Sequence, residues 1–295
     1  MPVSPPRPKM PPLNSLRAFE AAARLNGISA AADELCVTPA AVAQQIKSLE
    51  EWTGEKLFKR NAQGVELSPL GAKTVSDFSA AFDALSAAVQ KLRMSANPYE
   101  IRIAAMPSVA QLWVSPRLPD IRHAMPDVSI SVTAMEHPPN LLREPFDLAI
   151  FYEENTATSD AIVIGRDTIF PVCSPDIAAR LNTIEDLKNE IFLHDTAWKN
   201  DWKTWLSGAS PDQILTKSGP EFSLYSLALE ECKNGAGVLI GHEALVQPLL
   251  ETETLVAPIK IKVDLPISLV IHAAKPLHES SPLEKVVNML ANAGT

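Results

Sequence analysis

The chain has 295 residues, of which 46% are hydrophobic and 21% charged, and its net charge is −9. That length accommodates two or three domains, and that composition excludes a disordered chain. No apolar run approaches the roughly 18–20 residues of a membrane span, and residues 1–12 hold six prolines but no signal-peptide apolar stretch, so a cytoplasmic location without membrane contact is expected.

Charge is distributed unevenly. Residues 1–99 carry 11 Lys/Arg and 9 Asp/Glu, whereas residues 100–295 carry 15 and 26, so the acidity belongs to the C-terminal two-thirds. A nucleic-acid interface needs only a local basic footprint, which the first third can supply.

After the proline-rich arm (1–12), residues 13–67 form a compact helical segment. Asn14 or Ser15 is expected to cap a first helix with Leu16, Phe19 and Ala23 on one face, ending at Asn26-Gly27. Ser29 is expected to cap a short second helix over 30–35. Thr38-Pro39 then restarts the chain, with Thr as cap and Pro at the first helical position. Two helices separated by so short a turn have helix-turn-helix spacing.

In the third helix Val42, Ile46 and Leu49 point inward, and Ala40, Gln44, Lys47 and Glu51 share the opposite side. Such a stripe offers the major groove an amide for adenine edges and a cation for guanine or phosphate. On this helix alone a solvated face explains the stripe equally well. Leu57-Phe58-Lys59-Arg60, a turn over 61–64 and a strand over 65–67 follow as a hairpin wing with cations for backbone phosphates. That succession favours the DNA-facing reading.

Ser68-Pro69 opens a long helix running to about residue 94. Val75, Phe78, Phe82, Leu85, Val89 and Leu92 step by three and four along it, an a/d seam. A helix about 40 Å long extends beyond a small headpiece, so the seam is expected to meet its copy in a second subunit. A hinge (95–100) follows. Strands at 101–105, 128–134, 148–152, 168–173 and 238–240 then alternate with helices, an α/β pattern with a mainly parallel sheet. Cys36, Cys173 and Cys232 form no CxxC pair, so neither disulfides nor zinc is expected. Buried packing is the simpler reading of Cys173 and Cys232, and a redox-responsive pair is the alternative. There is no GxSxG elbow, phosphate-binding glycine loop or metal-spaced histidine set, so the chain is not read as an enzyme and no cofactor or metal is expected.

These residues resemble a known family. The runs at 13–23, 29–35, 45–50, 54–60 and 67–71 are similar, in order, to the opening of LysR-type transcriptional regulators. Downstream, Met106-Pro107-Ser108 and residues 112–118 resemble the family's first effector-lobe helix, and residues 146–152 and 171–175, Leu193-His194-Asp195 with Trp202, and Gly235-Ala236-Gly237-Val238 resemble the subgroup of the glycine-cleavage-system activator. The resemblance implies an N-terminal winged helix-turn-helix, a dimerising linker helix (68–94) and a two-lobed, periplasmic-binding-protein-like effector domain. Lobe I would take residues 101–166 and 267–295, and lobe II residues 167–266. The implied partners are double-stranded operator DNA, a small-molecule effector, RNA polymerase and further copies of the chain, as a homodimer or homotetramer. A solute-binding protein would share the C-terminal fold but has no use for residues 13–67.

The expected DNA contacts are Arg17, Ser29, Thr38, Pro39, Ala40, Ala43, Gln44, Gln45, Lys47, Lys59 and Arg60. Pro39 stands where the family often has Gln and Ala43 where it often has Ser, which shifts base readout toward Gln44, thymine methyls and DNA shape. Ligands of open α/β sheets sit beyond strand C-termini, near helix N-termini that attract anions. The expected effector contacts are therefore Ser108, Thr133, His194, Trp198, Ser223 and Tyr225, around a carboxylate or amino acid.

Overall fold

A computed structural model describes residues 10–61, 64–97, 99–154, 161–209 and 219–292. Most of the proline-rich arm lies outside them. The chain divides into two compact units, residues 1–92 and 93–295.

In the first unit α1 (Leu13–Arg24), α2 (Ile28–Leu35) and α3 (Pro39–Thr53) pack on small residues. Ala18, Ala21, Ala22, Ala31, Ala32, Val42 and Ile46 are all buried, and these short side chains let three helices approach closely. Two expected caps are corrected. Helix α1 starts one residue before Asn14, with Pro12 at the N-cap and no side-chain cap. Ser15 is instead buried, and its hydroxyl donates to Gln45 Oε1 at 2.8 Å. Helix α2 starts before Ser29, with extended Gly27 as its cap. Thr38 does cap α3, accepting from the Ala41 amide at 3.2 Å.

Strands β1 (Phe58–Asn61) and β2 (Gly64–Leu67) form the antiparallel hairpin. Helix α4 (Pro69–Ala96) follows, anchored by Ser68, whose hydroxyl donates to the Lys56 carbonyl and accepts from the Gly71 amide. The seam of α4 divides. Val75, Phe78 and Phe82 pack on Leu16, Phe19, Ala23, Leu49 and Leu57 of the same chain, whereas Leu85, Val89 and Leu92 are exposed. The headpiece thus covers the first half of a seam expected to need a partner throughout.

The second unit contains β3 (Glu100–Ala105), α5 (Pro107–Val109), α6 (Leu118–Ala124), β4 (Ser129–Ala134), β5 (Leu148–Glu154), β6 (Ile162–Val172) and α7 (Pro175–Ala178). It continues through β7 (His194–Asp195), α8 (Asp201–Ala209), β8 (Glu221–Phe222), α9 (Tyr225–Lys233), β9 (Leu239–His242), α10 (Glu243–Glu251), β10 (Val263–Ala273) and α11 (Pro282–Asn292). Between α5 and α6 the helical path widens into a π turn at Ala110–Val114 and tightens again at Ser115–Arg117.

Six strands make one sheet in the order β4-β3-β5-β10-β6-β9. The expectation of a mainly parallel sheet is corrected. β3 runs parallel to β4 and β5, but β10 is antiparallel to β5 and β6, and β6 is antiparallel to β9. The cause is the pair of 11-residue strands β6 and β10, which pass through both lobes. The lobe borders expected at 166/167 and 266/267 fall inside these two strands. Lobe II has its own core around Phe192, Trp202 and Trp205, in which Phe192 and Trp202 stack at 3.8 Å and the Trp205 indole donates to the Ile261 carbonyl.

Candidate functional sites: an exposed helix face and a polar cleft

On α3, Pro39, Ala40, Ala43, Gln44 and Lys47 are exposed, while Val42, Ile46 and Leu49 are buried. The buried row fixes the helix, so the exposed row is presented without further support. Gln45 is half-buried, and its bond from Ser15 makes it a tie between α1 and α3 as much as a surface group. Lys47 lies 3.6 Å from Glu51, one turn on, an exposed pair that an incoming phosphate can outcompete. Arg17 on α1, Ser29 on α2 and Lys59 on β1 are also exposed, and Arg60 continues β1. Gln44 and Lys47 thus share a face, whereas Ser29 and Lys59 belong to other elements.

Beside α4 lies an apolar groove of about 490 Å³, lined by Met10, Leu13, Trp52, Phe78, Phe82 and Leu85 among others. Trp52 and Leu13 are more than half exposed. Exposed apolar surface of this kind is typical of interaction sites and ligand-binding grooves.

The cleft of the second unit is small, about 20 Å³, with room for little more than one water molecule. It lies between the segment after β3 (Met106, Pro107, Ser108) and the segment opening α9 (Ser223, Leu224, Tyr225), with Glu136, Asp195, Ala197 and Trp198 completing the wall. Four of the six expected effector residues line it: Ser108, Trp198, Ser223 and Tyr225. Thr133 is exposed at the end of β4 and His194 sits on β7, and neither lines the cleft.

Buried polar groups ordinarily find partners, and one left without costs about 1–3 kcal/mol. Here Ser108 Oγ and Asp195 Oδ2 are buried and meet no hydrogen-bond partner among the described residues. The other Asp195 oxygen accepts from the Ala197 and Trp198 amides at 2.8 and 3.1 Å, which fixes the carboxylate. Burial raises the Asp195 pKa, and those amides oppose the shift. No side chain caps α9. The Tyr225 hydroxyl is engaged elsewhere, donating to the Ile240 carbonyl and accepting from the His242 amide, so its ring serves as a wall.

Behind that wall lies a group that no sequence motif announced. His242, fully buried, has Nδ1 2.6 Å from Asp167 Oδ2 and Nε2 2.9 Å from Asp201 Oδ2. Burial alone would lower its pKa, but the two carboxylates outweigh burial and push it up to about 9. Trp198 lies over the imidazole at 3.8 Å, and Tyr152 and Tyr225 stand 5.9 and 5.7 Å away. The three polar partners come from β6, α8 and β9, too far apart in sequence for spacing to suggest their meeting.

Comparison with known proteins decides the family. Residues 13–72 match the bacterial regulatory helix-turn-helix protein, lysR family, and residues 96–294 match the LysR substrate binding domain. The chain belongs to the LysR family. It is 34% identical to the glycine cleavage system transcriptional activator of Escherichia coli over 254 residues, 85% of this chain and 83% of that protein. It is 31% identical to the transcriptional regulator TrpI of Pseudomonas aeruginosa over 84% of this chain and 86% of that protein. In fold it is similar to ArgP from Mycobacterium tuberculosis (TM-score 0.55, 20% identity, covering 94% of this chain and 96% of that one). The effector domain of AmpR of Pseudomonas aeruginosa matches at TM-score 0.54 and 20% identity, covering 66% and 94%.

Several residues of this LysR-type regulator that carry the resemblance have structural roles. Gly71 faces the wing so closely that a Cβ would lie 2.4 Å from the Leu57 carbonyl oxygen. Glu50 is buried, and its carboxylate accepts from the Leu57 and Phe58 amides and from Lys56 Nζ, tying the end of α3 to the wing. Burial pushes Glu50 up, but Lys56 and the two amides leave its pKa below the ordinary value. Cys173 and Cys232 are buried, and burial pushes both thiols up to about 12. Thiols so far from ionising are poor redox sensors. Among the described residues there is no helix long and apolar enough to cross a membrane, and no His/Cys/Asp/Glu group suited to a metal ion.

Proposed function

We propose that this LysR-type transcriptional regulator binds its operator as a dimer or a dimer of dimers, and that an amino-acid-like effector in the cleft changes how it holds DNA. Ser108 carries the effector reading: its buried hydroxyl meets no partner among the described residues and borders the same cleft as the opening of α9, which no side chain caps. A carboxylate placed there would accept from the hydroxyl and from backbone amides favoured by the helix dipole. A cleft of about 20 Å³ must open to admit such a ligand, so binding selects among lobe arrangements, and only a ligand that binds them unequally shifts the balance.

On the DNA side, Gln44 and Lys47 would face base edges and phosphates, with Arg17, Ser29, Thr38, Pro39, Ala40, Ala43, Gln45, Lys59 and Arg60 around them. Two headpieces joined through the exposed half of α4 would meet two half-sites, and RNA polymerase would read the resulting DNA geometry. Gel shifts on the upstream region of its own gene, between about 50 and 200 mM salt, test the first part. Lys47→Ala should flatten the salt slope by about one, and Gln44→Ala should relax base discrimination by about 1–3 kcal/mol. Binding indifferent to salt and to both substitutions would sink the assignment of α3. Ser108→Ala should weaken the effector response and leave operator affinity intact, and an unchanged response would displace the effector from this cleft.

A further inference from the structure

The polar walls of the cleft are anionic. Asp195 and Glu136 line it, and among the described residues neither lysine nor arginine does. Asp195, which lines the cleft, is 4% exposed, with one oxygen held by two amides and the other buried without a partner among the described residues. The neighbouring Asp167–His242–Asp201 cluster holds one imidazole between two carboxylates, so it does not neutralise Asp195. Trp198 and Tyr225 supply aromatic wall on the same side, and aromatic faces attract cations. A ligand carrying only a carboxylate would bring a further negative charge to these walls.

We propose that Asp195 is the ammonium anchor of the cleft, so that the effector class is a zwitterionic α-amino acid and a plain carboxylate or 2-hydroxy acid is rejected. This rests on the effector reading of the same cleft and adds its specificity. An α-ammonium group would donate to Asp195 Oδ2 while the carboxylate reaches Ser108 and the opening of α9. The pairing draws contacts from both lobes: Asp195 and the neighbouring opening of α9 from lobe II, and Ser108 from the segment after β3.

The test uses the full chain and three matched sets of probes: the common amino acids including glycine, the corresponding 2-hydroxy acids, and the corresponding N-acetyl amino acids. Thermal shift identifies the best amino acid, and calorimetry then compares it with its two analogues. The amino acid should bind at least about tenfold more tightly than either analogue, the scale of a hydrogen bond to a charged group. Asp195→Asn, which keeps an oxygen for the Ala197 and Trp198 amides, should erase that preference while the hydroxy acid binds as before. A hydroxy acid binding the wild-type chain as tightly as the amino acid, with affinity still lost in Ser108→Ala, would overturn the ammonium anchor and leave the cleft assignment standing. Binding of the amino acid unaffected by either substitution would overturn both. The wild-type comparison alone decides the proposal should the Asp195 variant fail to fold.

Discussion

Raising the pH should unload stability from the effector domain through one histidine. Both ring nitrogens of His242 face carboxylate oxygens, at 2.6 and 2.9 Å, so both bonds exist only while the imidazole carries two protons. The unfolded chain protonates the ring near 6.5 and the folded chain up to about 9. Because the folded value is raised, the contribution is fully present below pH 6.5 and is lost as pH climbs toward 9. At about 1.4 kcal/mol per unit, the interval amounts to about 3 kcal/mol. Urea unfolding of the wild-type chain and of His242→Gln across this window, followed by near-ultraviolet circular dichroism, isolates the histidine as the difference between the two curves. The wild type should lose its advantage steadily between pH 6.5 and 9, and an imidazole resonance followed by NMR should titrate in the upper part of that range. Two stability curves that run parallel would refute the reasoning, since they would mean that His242 is neutral in the fold.

Three further outcomes follow from the geometry. Glu50→Gln should cost about 1–3 kcal/mol, and because the folded carboxylate is held below its ordinary 4.5, the wild-type advantage should persist above that pH and fade as pH falls further; equal acid unfolding of both proteins would contradict this. Leu85→Glu with Val89→Glu adds charge to the exposed half of α4 and should yield monomers by sedimentation, whereas an unchanged dimer would place the interface elsewhere. In the native chain a thiol reagent should modify Cys36 quickly and Cys173 and Cys232 only on unfolding, because burial holds both near 12; rapid labelling of all three would reopen the redox reading.

What sequence could show here was local. The cap at Thr38, the buried row Val42–Ile46–Leu49 and the hairpin after Leu57 depend on neighbours within a few residues, and spacing reveals such things. Ser29 was misread because serine is a good cap in general, but Gly27 already had the extended backbone where α2 begins. The a/d seam of α4 was visible, yet its division between a self-covered and an exposed half depends on where α1 and the wing end. No spacing singles out Asp195, and only the fold shows one oxygen tied down and the other without a partner among the described residues. The His242 cluster spans 75 residues of sequence, from Asp167 to His242, and could not be anticipated from pattern.

The long pair β6 and β10 has a mechanical consequence. Their pairing slips between Asp264 and Ser268, the stretch that contains Pro266, and again between Leu269 and Val270. Proline has no amide to donate, so the ladder is already broken where one lobe passes into the other. The proposed lobes are therefore joined by a pre-creased ribbon and not by a slack tether: a ligand that drew them together would fold them along that crease, and the stiff lengths on either side would carry a small displacement in the cleft outward as a change of angle.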